Sequence, residues 1–452
     1  MRGSAIGRRV VIGGAVAAAA SGAAADAQQG RASPRFPLRI AQGGRYLEDS
    51  AGQPFLLHGD TAWSLIAQLN PEEAELYLRD RQARGFNTLL VNLIEHRYAS
   101  RAPANIRGDA PFTRANDFTT PNEAYFAYAD RILRRARELG FLVLLAPAYI
   151  GGDGGEDGWY QPMLAAGNAA LRRYGAYVGR RYRGFDNILW VHAGDYNPPD
   201  RSVVLAVAEE IAAADPGALH TAHCAPETAP ADLFRGAAWL NVNNVYTYRP
   251  VDPMARRQDQ RRDRMPFMMI ESAYENEHHA SEQRIRSQAY QALLNGACGH
   301  VFGNSPIWHY GTSPIHPRPM RWQAALGSRG AQSMTQLRRI MEDLPWTTLQ
   351  PDTEERFLIG SRGEGHERSV AAIARDGSCA VGYVASGHSV TVDLSALRSA
   401  DVAVRWIDPS VGNVLIAPEV EPARGRRWRL TSPGANASGF ADWVLEVRVR
   451  GS

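Results

Sequence analysis

Residues 187–198 read NILWVHAGDYNP. Ile188, Leu189, Trp190 and Val191, with His192 at their edge, run straight into Ala193-Gly194-Asp195-Tyr196. A run this uniformly apolar suits a strand covered on both faces, as strands of parallel sheets are. A carboxylate delivered where such a strand ends has little use in a core. It raises the question of what else reaches the same point.

Seven further runs of the same kind surround it: FLLHGD (55–60), FNTLLVNLI (86–94), FLVLLAPAY (141–149), LHTAHC (219–224), AWLNVNNVY (238–246), PFMMIES (266–272) and HVFGNSPIW (300–308). Most are separated by helical stretches. Asn70-Pro71-Glu72-Glu73 offers an N-cap, a proline at the first helical position and an acid at the capping-box position, and Gly85 supplies a stop. Thr120-Pro121-Asn122-Glu123 repeats that start, and its helix places Tyr125, Tyr128, Ala129, Ile132, Ala136 and Leu139 at helical spacing. Eight near-continuous apolar strands alternating with helices predict a parallel (β/α)8 TIM barrel. A doubly wound sheet is the rival, but HGDTAW after the first strand lacks the GxGxxG phosphate loop.

Ahead of the barrel, PLRIAQGGRYLEDSAGQPFLLHGD reads as a β-hairpin turning at Asp49-Ser50-Ala51-Gly52. A last long helix, roughly 318–342, leads to Pro345. Beyond it Val390, Val392 and Leu394, then Val402, Val404 and Trp406, then Leu445, Val447 and Val449 alternate with polar residues. That period of two predicts a small antiparallel β-sandwich over 346–452, after a barrel domain over 28–345.

The first 27 residues read as an export signal. Arg8-Arg9 precede a short alanine-rich apolar stretch, and Ala25-Asp26-Ala27 offers a cleavage site. The expected location is periplasmic or secreted, with no membrane span in the mature protein. A net charge of +3 over 452 residues, with no basic block interleaved with aromatics, gives no sign of a nucleic-acid partner. No obligate protein partner is implied. The sequence contains no lysine, so every strong cation is arginine, and Schiff-base aldolases, pyridoxal enzymes and lysine-based P-loop NTPases are excluded. Three widely spaced cysteines (Cys224, Cys298, Cys379) read as small buried hydrophobes.

The active site of such a barrel lies at the C-terminal ends of its strands. The polar and aromatic residues there are His58, Asp60 and Trp63; Asn92, Glu95 and His96; Tyr149; His192 and Asp195; His223; Asn244 and Tyr246; Glu271, Tyr274 and Glu275; Asn304 and Trp308. Aromatic faces stack on sugar rings, while Asn, His and Asp bind hydroxyls, so a carbohydrate is the expected ligand. The expected sugar-binding set is His58, Asp60, Trp63, Asn92, Tyr149, His192, Asn244, Tyr246, Tyr274 and Trp308.

Asp195 ends strand four and Glu271 ends strand seven, so the two can face one another across a bound sugar. Glycoside hydrolysis needs one protonated acid at the leaving oxygen and one ionised carboxylate at the anomeric carbon. Gly194 would allow close backbone approach to the substrate. Asp195 could instead serve an Asx turn before Asn197-Pro198-Pro199. Glu275 and Glu95 are rivals to Glu271. A metal site drawn from Glu275, Glu277, His278 and His279 lacks an HExxH or strand-borne HxH pattern, so neither metal nor cofactor is expected. Trp190 and Trp322 read as core. Two alternatives to a glycosidase stay open: a glycan-binding protein on a barrel scaffold, and a metal-dependent hydrolase.

PFLLHGDTAWSLIAQLNPEEAELYLRDRQARGFNTLLVN, NILWVHAGDYNP and RIRSQAYQALLNGACGHVFGNSPIW resemble the apiosidase-like glycoside hydrolases, family 140. The tail, with VTVDLSAL and VRWIDPSVGN, resembles the β-sandwich that often follows them and is called collagen-binding in some relatives, a name that is no evidence of collagen. The resemblance implies a (β/α)8 barrel and a retaining mechanism. It also implies an aspartate acid/base and a glutamate nucleophile, which fall on Asp195 in AGD and Glu271 in IESAYE. His192-Ala193 departs from the glycine or aliphatic residue expected before Gly-Asp, and NLIEHR departs after strand two. The resemblance further implies a pectic apioside, or a related pentoside or furanoside, as substrate.

Overall fold

The computed structural model describes residues 33–277, 279–311, 313–316, 320–387, 389–417 and 422–451. The export segment and His278 lie outside the described residues. Residues 34–452 form one compact unit.

The chain opens with three short antiparallel strands, β1 (Arg39–Ile40), β2 (Leu47–Glu48) and β3 (Pro54–Phe55), where the sequence suggests a single hairpin. Asp49 makes the turn between the last two: its Oδ1 accepts from the amides of Ala51 and Gln53, each at 2.9 Å. The eight expected runs then form eight parallel strands: β4 (Leu57–Thr61), β5 (Thr88–Asn92), β6 (Leu142–Ala146), β7 (Ile188–Ala193), β8 (Leu219–His223), β9 (Asn243–Tyr246), β10 (Phe267–Glu271) and β11 (Gly299–Phe302). Their order is β8-β7-β6-β5-β4-β11-β10-β9. The ladder stops between β8 and β9, and the side chain of Asn244 spans that seam. Its Nδ2 donates to the Ala222 carbonyl at 2.7 Å and to Thr221 Oγ1 at 2.9 Å.

Both faces of every strand are covered. Leu57, Leu90, Leu144, Leu189, Leu219, Met268 and Val301 fill the lumen. Leu89, Val91, Val143, Trp190 and Ala222 pack outward in the cluster formed with the helices. Trp190 and Trp322 are both buried there.

The helix Pro71–Ala83 carries the full capping box, Asn70 and Glu73 each bonding the other's backbone amide. The next helix begins two residues later than expected, at Glu123. Thr120 is held in a turn on Asp117, and Asn122 caps the Ala124 amide instead. The expected last helix is a short piece, Trp322–Ala325, followed by Arg329–Asp343. Ser328 breaks the two apart by capping the Ala331 amide.

The tail forms two antiparallel sheets. One has six strands in the order Leu349–Pro351, Val370–Ala374, Cys379–Val384, Trp443–Val449, Val402–Ile407 and Val414–Ile416. The other has four: Leu358–Ile359, Ser389–Asp393, Arg427–Thr431 and Pro422–Arg424. Leu358, Val392 and Leu430 of the smaller sheet share one core with Val404, Trp406, Leu445 and Val447 of the larger, the packing of a sandwich.

The helix Glu282–Leu293 joins sandwich to barrel. Arg286 sends Nε to Asp442 Oδ2 at 2.7 Å and Nη2 to Asp442 Oδ1 at 2.8 Å, and both side chains are fully buried. Tyr383 donates to the same carboxylate at 2.7 Å, and the Tyr290 ring stacks on Tyr383 at 4.7 Å. On its barrel side the helix holds the Ala273 carbonyl through Gln288 Nε2 at 2.8 Å, two residues past Glu271.

Candidate active site

β7 ends at Ala193, whose φ of 64° is left-handed, a conformation that costs a residue with a Cβ about 1–2 kcal/mol. The chain turns there, and Asp195 enters the mouth of the barrel. Gly194 has a structural reason apart from the expected approach to substrate: a Cβ there would stand 2.7 Å from the Tyr149 ring and 2.8 Å from the Ile150 amide. Glycine is needed because the loop after β6 packs on it. On β10, Met268 and Ile270 point into the lumen, so a regular pleat would send Glu271 outward. The register slips between Met269 and Glu271, and that carboxylate also reaches the mouth.

Between them, at the end of β8, stands His223. Its Nε2 lies 3.1 Å from Glu271 Oε2 in hydrogen-bond geometry. Its Nδ1 lies 2.8 Å from Asp195 Oδ1, a close charge contact whose direction falls outside hydrogen-bond geometry. One oxygen of each carboxylate and a ring nitrogen of His223 all fall within 4.8 Å of one another. The histidine is 1 % exposed, Glu271 5 % and Asp195 24 %, so Asp195 is the member nearest solvent.

Glu271 accepts a second bond on Oε1, from the Tyr248 hydroxyl at 2.9 Å, and Tyr246 donates to Tyr248 at 3.1 Å. Both oxygens of Glu271 are thus met by donors, the arrangement that suits an ionised carboxylate. Burial and the charge of Asp195 push the Glu271 carboxyl up, against the bonds from His223 and Tyr248. Burial pulls His223 down, but the Asp195 charge and the close contacts with both carboxylates outweigh it and raise the imidazole to about 10. By spacing, this trio is also the group among the described residues that could take a metal ion. Each ring nitrogen of His223 faces a carboxylate, which fits an imidazolium, and a metal ligand nitrogen must be unprotonated.

The pair opens into a cavity of about 300 Å³. Trp63, Tyr149, Tyr274 and Trp308 line it as expected, together with Tyr98, Gly152, Asp157, Tyr248, Glu277 and His316. Tyr98 donates to Asp157 at 2.8 Å and Trp308 Nε1 to Glu277 at 2.9 Å, so two wall carboxylates are each held by an aromatic neighbour. Tyr246, also expected as a sugar contact, is not in the lining: its ring packs on His223 at 4.7 Å and its hydroxyl donates to Tyr248.

Five more expected sugar contacts lie elsewhere. His58 and Asp60 occupy outward positions on β4: His58 pairs with His300 at 2.9 Å and stacks on Phe86, while Asp60 meets Arg81 at 2.9 Å and the Tyr77 hydroxyl at 2.7 Å. His192 faces outward from β7 onto His220, at 2.9 Å, and Trp239. Asn244 closes the barrel seam, and Asn92 is buried at the end of β5, away from the cavity lining. The two rivals to Glu271 lie outside the cavity lining. Glu275 accepts from Asn304, Ser328 and the Gly330 amide at the start of the last helix, and Glu95 is buried against Ser64.

In the sequence His223 stands out only as a strand-end residue and Glu277 only as a member of the metal cluster, while Tyr248, Tyr98, Asp157 and His316 carry no assignment. The alternation in Val245-Tyr246-Thr247-Tyr248 was a usable signal for Tyr248. The others stand on long loops, where no periodicity exists to place them.

Eight parallel strands around a filled lumen, with two carboxylates converging at their C-terminal ends, define a barrel of the glycoside hydrolase type. The family model described as "Apiosidase-like, catalytic domain" matches residues 41–348, and the chain belongs to that family. Residues 351–448 match "Putative collagen-binding domain of a collagenase". No curated protein matches the chain. Among solved structures, a glycoside hydrolase family 5 protein from Bacteroides vulgatus is similar at a TM-score of 0.80 and 23% identity, over 93% of this chain and 96% of that one. A second structure titled glycoside hydrolase gives the same TM-score of 0.80 and identity of 23%, over 93% and 99%. A family 5 mannosidase from Rhizomucor miehei follows at a TM-score of 0.51 and 14% identity, over 70% and 100%. At these identities the likeness is one of fold.

Proposed function

We propose that the chain is an exported, retaining glycoside hydrolase that removes a sugar from a polysaccharide side chain, an apioside or related pentoside of pectic type. One observation carries this reading: Asp195 and Glu271 share one cavity with oxygens within 4.8 Å of each other. Retaining enzymes hold their carboxyl groups about 5–5.5 Å apart, whereas inverting enzymes need roughly 6.5–9.5 Å to admit water. Asp195, nearer solvent, protonates the leaving oxygen and later activates water. Glu271, with donors on both oxygens, attacks the anomeric carbon and forms the glycosyl-enzyme. Trp63, Tyr149, Tyr274 and Trp308 supply the apolar walls for the sugar ring. The family match supports the substrate class.

We also propose that residues 1–27 direct export and are removed, leaving a catalytic barrel from 28 to 345 and a sandwich from 346 to 452. The test is to incubate the purified protein with aryl glycosides and pectic oligosaccharides and read released monosaccharide. Glu271→Gln is expected to abolish release while sugar binding persists. A wild type that binds these sugars and never cleaves them would make the protein a glycan-binding one.

A further inference from the structure

We propose that His223 is a positioning residue that stays a cation throughout the reaction, balanced by Glu271 in the free enzyme and by Asp195 in the glycosyl-enzyme. The inference rests on the double-displacement reading and deepens it.

The charge count follows from that chemistry. Before reaction Glu271 is ionised and Asp195 carries the proton. In the first step the bond from a Glu271 oxygen to the anomeric carbon forms, the bond to the leaving oxygen breaks, and the Asp195 proton moves to that oxygen. Glu271 is then a neutral ester and Asp195 a carboxylate, so one negative charge has crossed the site. Water attack in the second step sends it back. A buried charge left without a partner is costly, so each half-reaction would strand the negative charge unless a cation serves both positions.

His223 is placed to do this. Its two ring nitrogens face the two carboxylates separately, at 2.8 Å and 3.1 Å. It therefore need not move when the charge does. The groups around it keep it in place: the Tyr246 ring at 4.7 Å from β9, the Trp63 ring at 5.7 Å from the loop after β4, and Tyr248 one bond away through Glu271. Each carboxylate, while ionised, raises the proton affinity of the ring against its burial. A structural histidine would need one partner, whereas this one has two, and they are the two groups that exchange charge.

The charge states can be imitated without substrate. Glu271→Gln is neutral where the glycosyl ester is neutral, and Asp195→Asn is neutral where the acid is protonated. The full-length protein is labelled with ¹⁵N at histidine, the His223 signals are assigned by their loss in His223→Gln, and thermal melts check folding. At pH 7.5 both ring nitrogens are expected to be protonated in wild type, in Asp195→Asn and in Glu271→Gln, because either carboxylate alone balances the cation. In the doubly substituted protein the buried ring is expected to be neutral. A neutral His223 in wild type or in either single variant overturns the proposal, as does an imidazolium that persists in the double variant. In turnover, His223→Gln is expected to lower kcat on the cleaved oligosaccharide about a hundredfold with KM within about threefold. An unchanged kcat also overturns it. The protonation readout needs no activity, so failure of the glycosidase reading shows separately, as absence of Glu271-dependent sugar release.

Discussion

Two buried carboxylate networks lie either side of one helix-strand unit, and they are built differently. At the sandwich interface Asp442 is fully buried and held in two bonds by an arginine fork, with Tyr383 on the same oxygen and Asn436 Nδ2 on the other at 2.8 Å. Arginine does not titrate in proteins, so that charge pair is permanent. At the barrel mouth Glu271 and Asp195 share a histidine, keep one face on a cavity, and sit at the ends of strands whose backbone departs from regularity. The first network has no spare valence and no access. The second is paired by a histidine that both carboxylates share, and it opens to a cavity. On the proposed reading, the buried carboxylates that act are those whose partner is titratable and whose surroundings are open.

The contrast can be broken by substitution at each end. Glu271→Gln is expected to reduce turnover on the order of 10⁴-fold or more while the melting temperature moves little, because a group that acts in the reaction is removed and the fold is not. Arg286→Ala is expected to do the reverse. Leaving Asp442 buried and uncompensated should cost about 3–5 kcal/mol of stability, read by urea melts, with near-normal turnover in the fraction that stays folded. If Arg286→Ala instead abolished turnover in a stably folded protein, the division between the two networks would be wrong.

Two further buried pairs sharpen the comparison through pH. His58–His300 and His192–His220 face outward, and none of the four has a carboxylate partner among the described residues. Burial holds all four down, His300 to about 3 and His220 to about 4, whereas His223 is raised. Near pH 5 the unfolded chain binds protons at these positions that the folded chain refuses. Stability is thus full above the ordinary histidine value of about 6.5 and falls as pH drops toward 3, by up to about 1.4 kcal/mol per pH unit for each histidine. Urea midpoints at pH 7, 6 and 5 check this, and an acid-insensitive midpoint would contradict it. The smallest effect expected is that of a chelator. Prolonged EDTA treatment should leave sugar release within about twofold, and a loss restored by a divalent cation would assign the mouth trio to a metal.

How far each feature could be read in advance follows from the same physics. All eight strands announced themselves, because strands covered on both faces are apolar almost throughout. That same property hides their phase. With no wet face, nothing in Leu57-His58-Gly59-Asp60 or in Trp190-Val191-His192 distinguishes lumen from helix side, and His58, Asp60 and His192 were expected at the mouth when they point away from it. Asp195 and Glu271 escaped this ambiguity since both stand where the ladder stops, and a left-handed Ala193 and a register slip turn them inward. Neither device is visible as a pattern. The wall residues Tyr98, Asp157 and Glu277 come from loops whose course depends on what they pack against.

The central claim is that Asp195 and Glu271 act by double displacement across a short gap. The anomeric configuration of the first sugar released, followed by ¹H NMR before mutarotation, tests it most directly. The account predicts release with the configuration of the bond cleaved; release of the opposite anomer would contradict it.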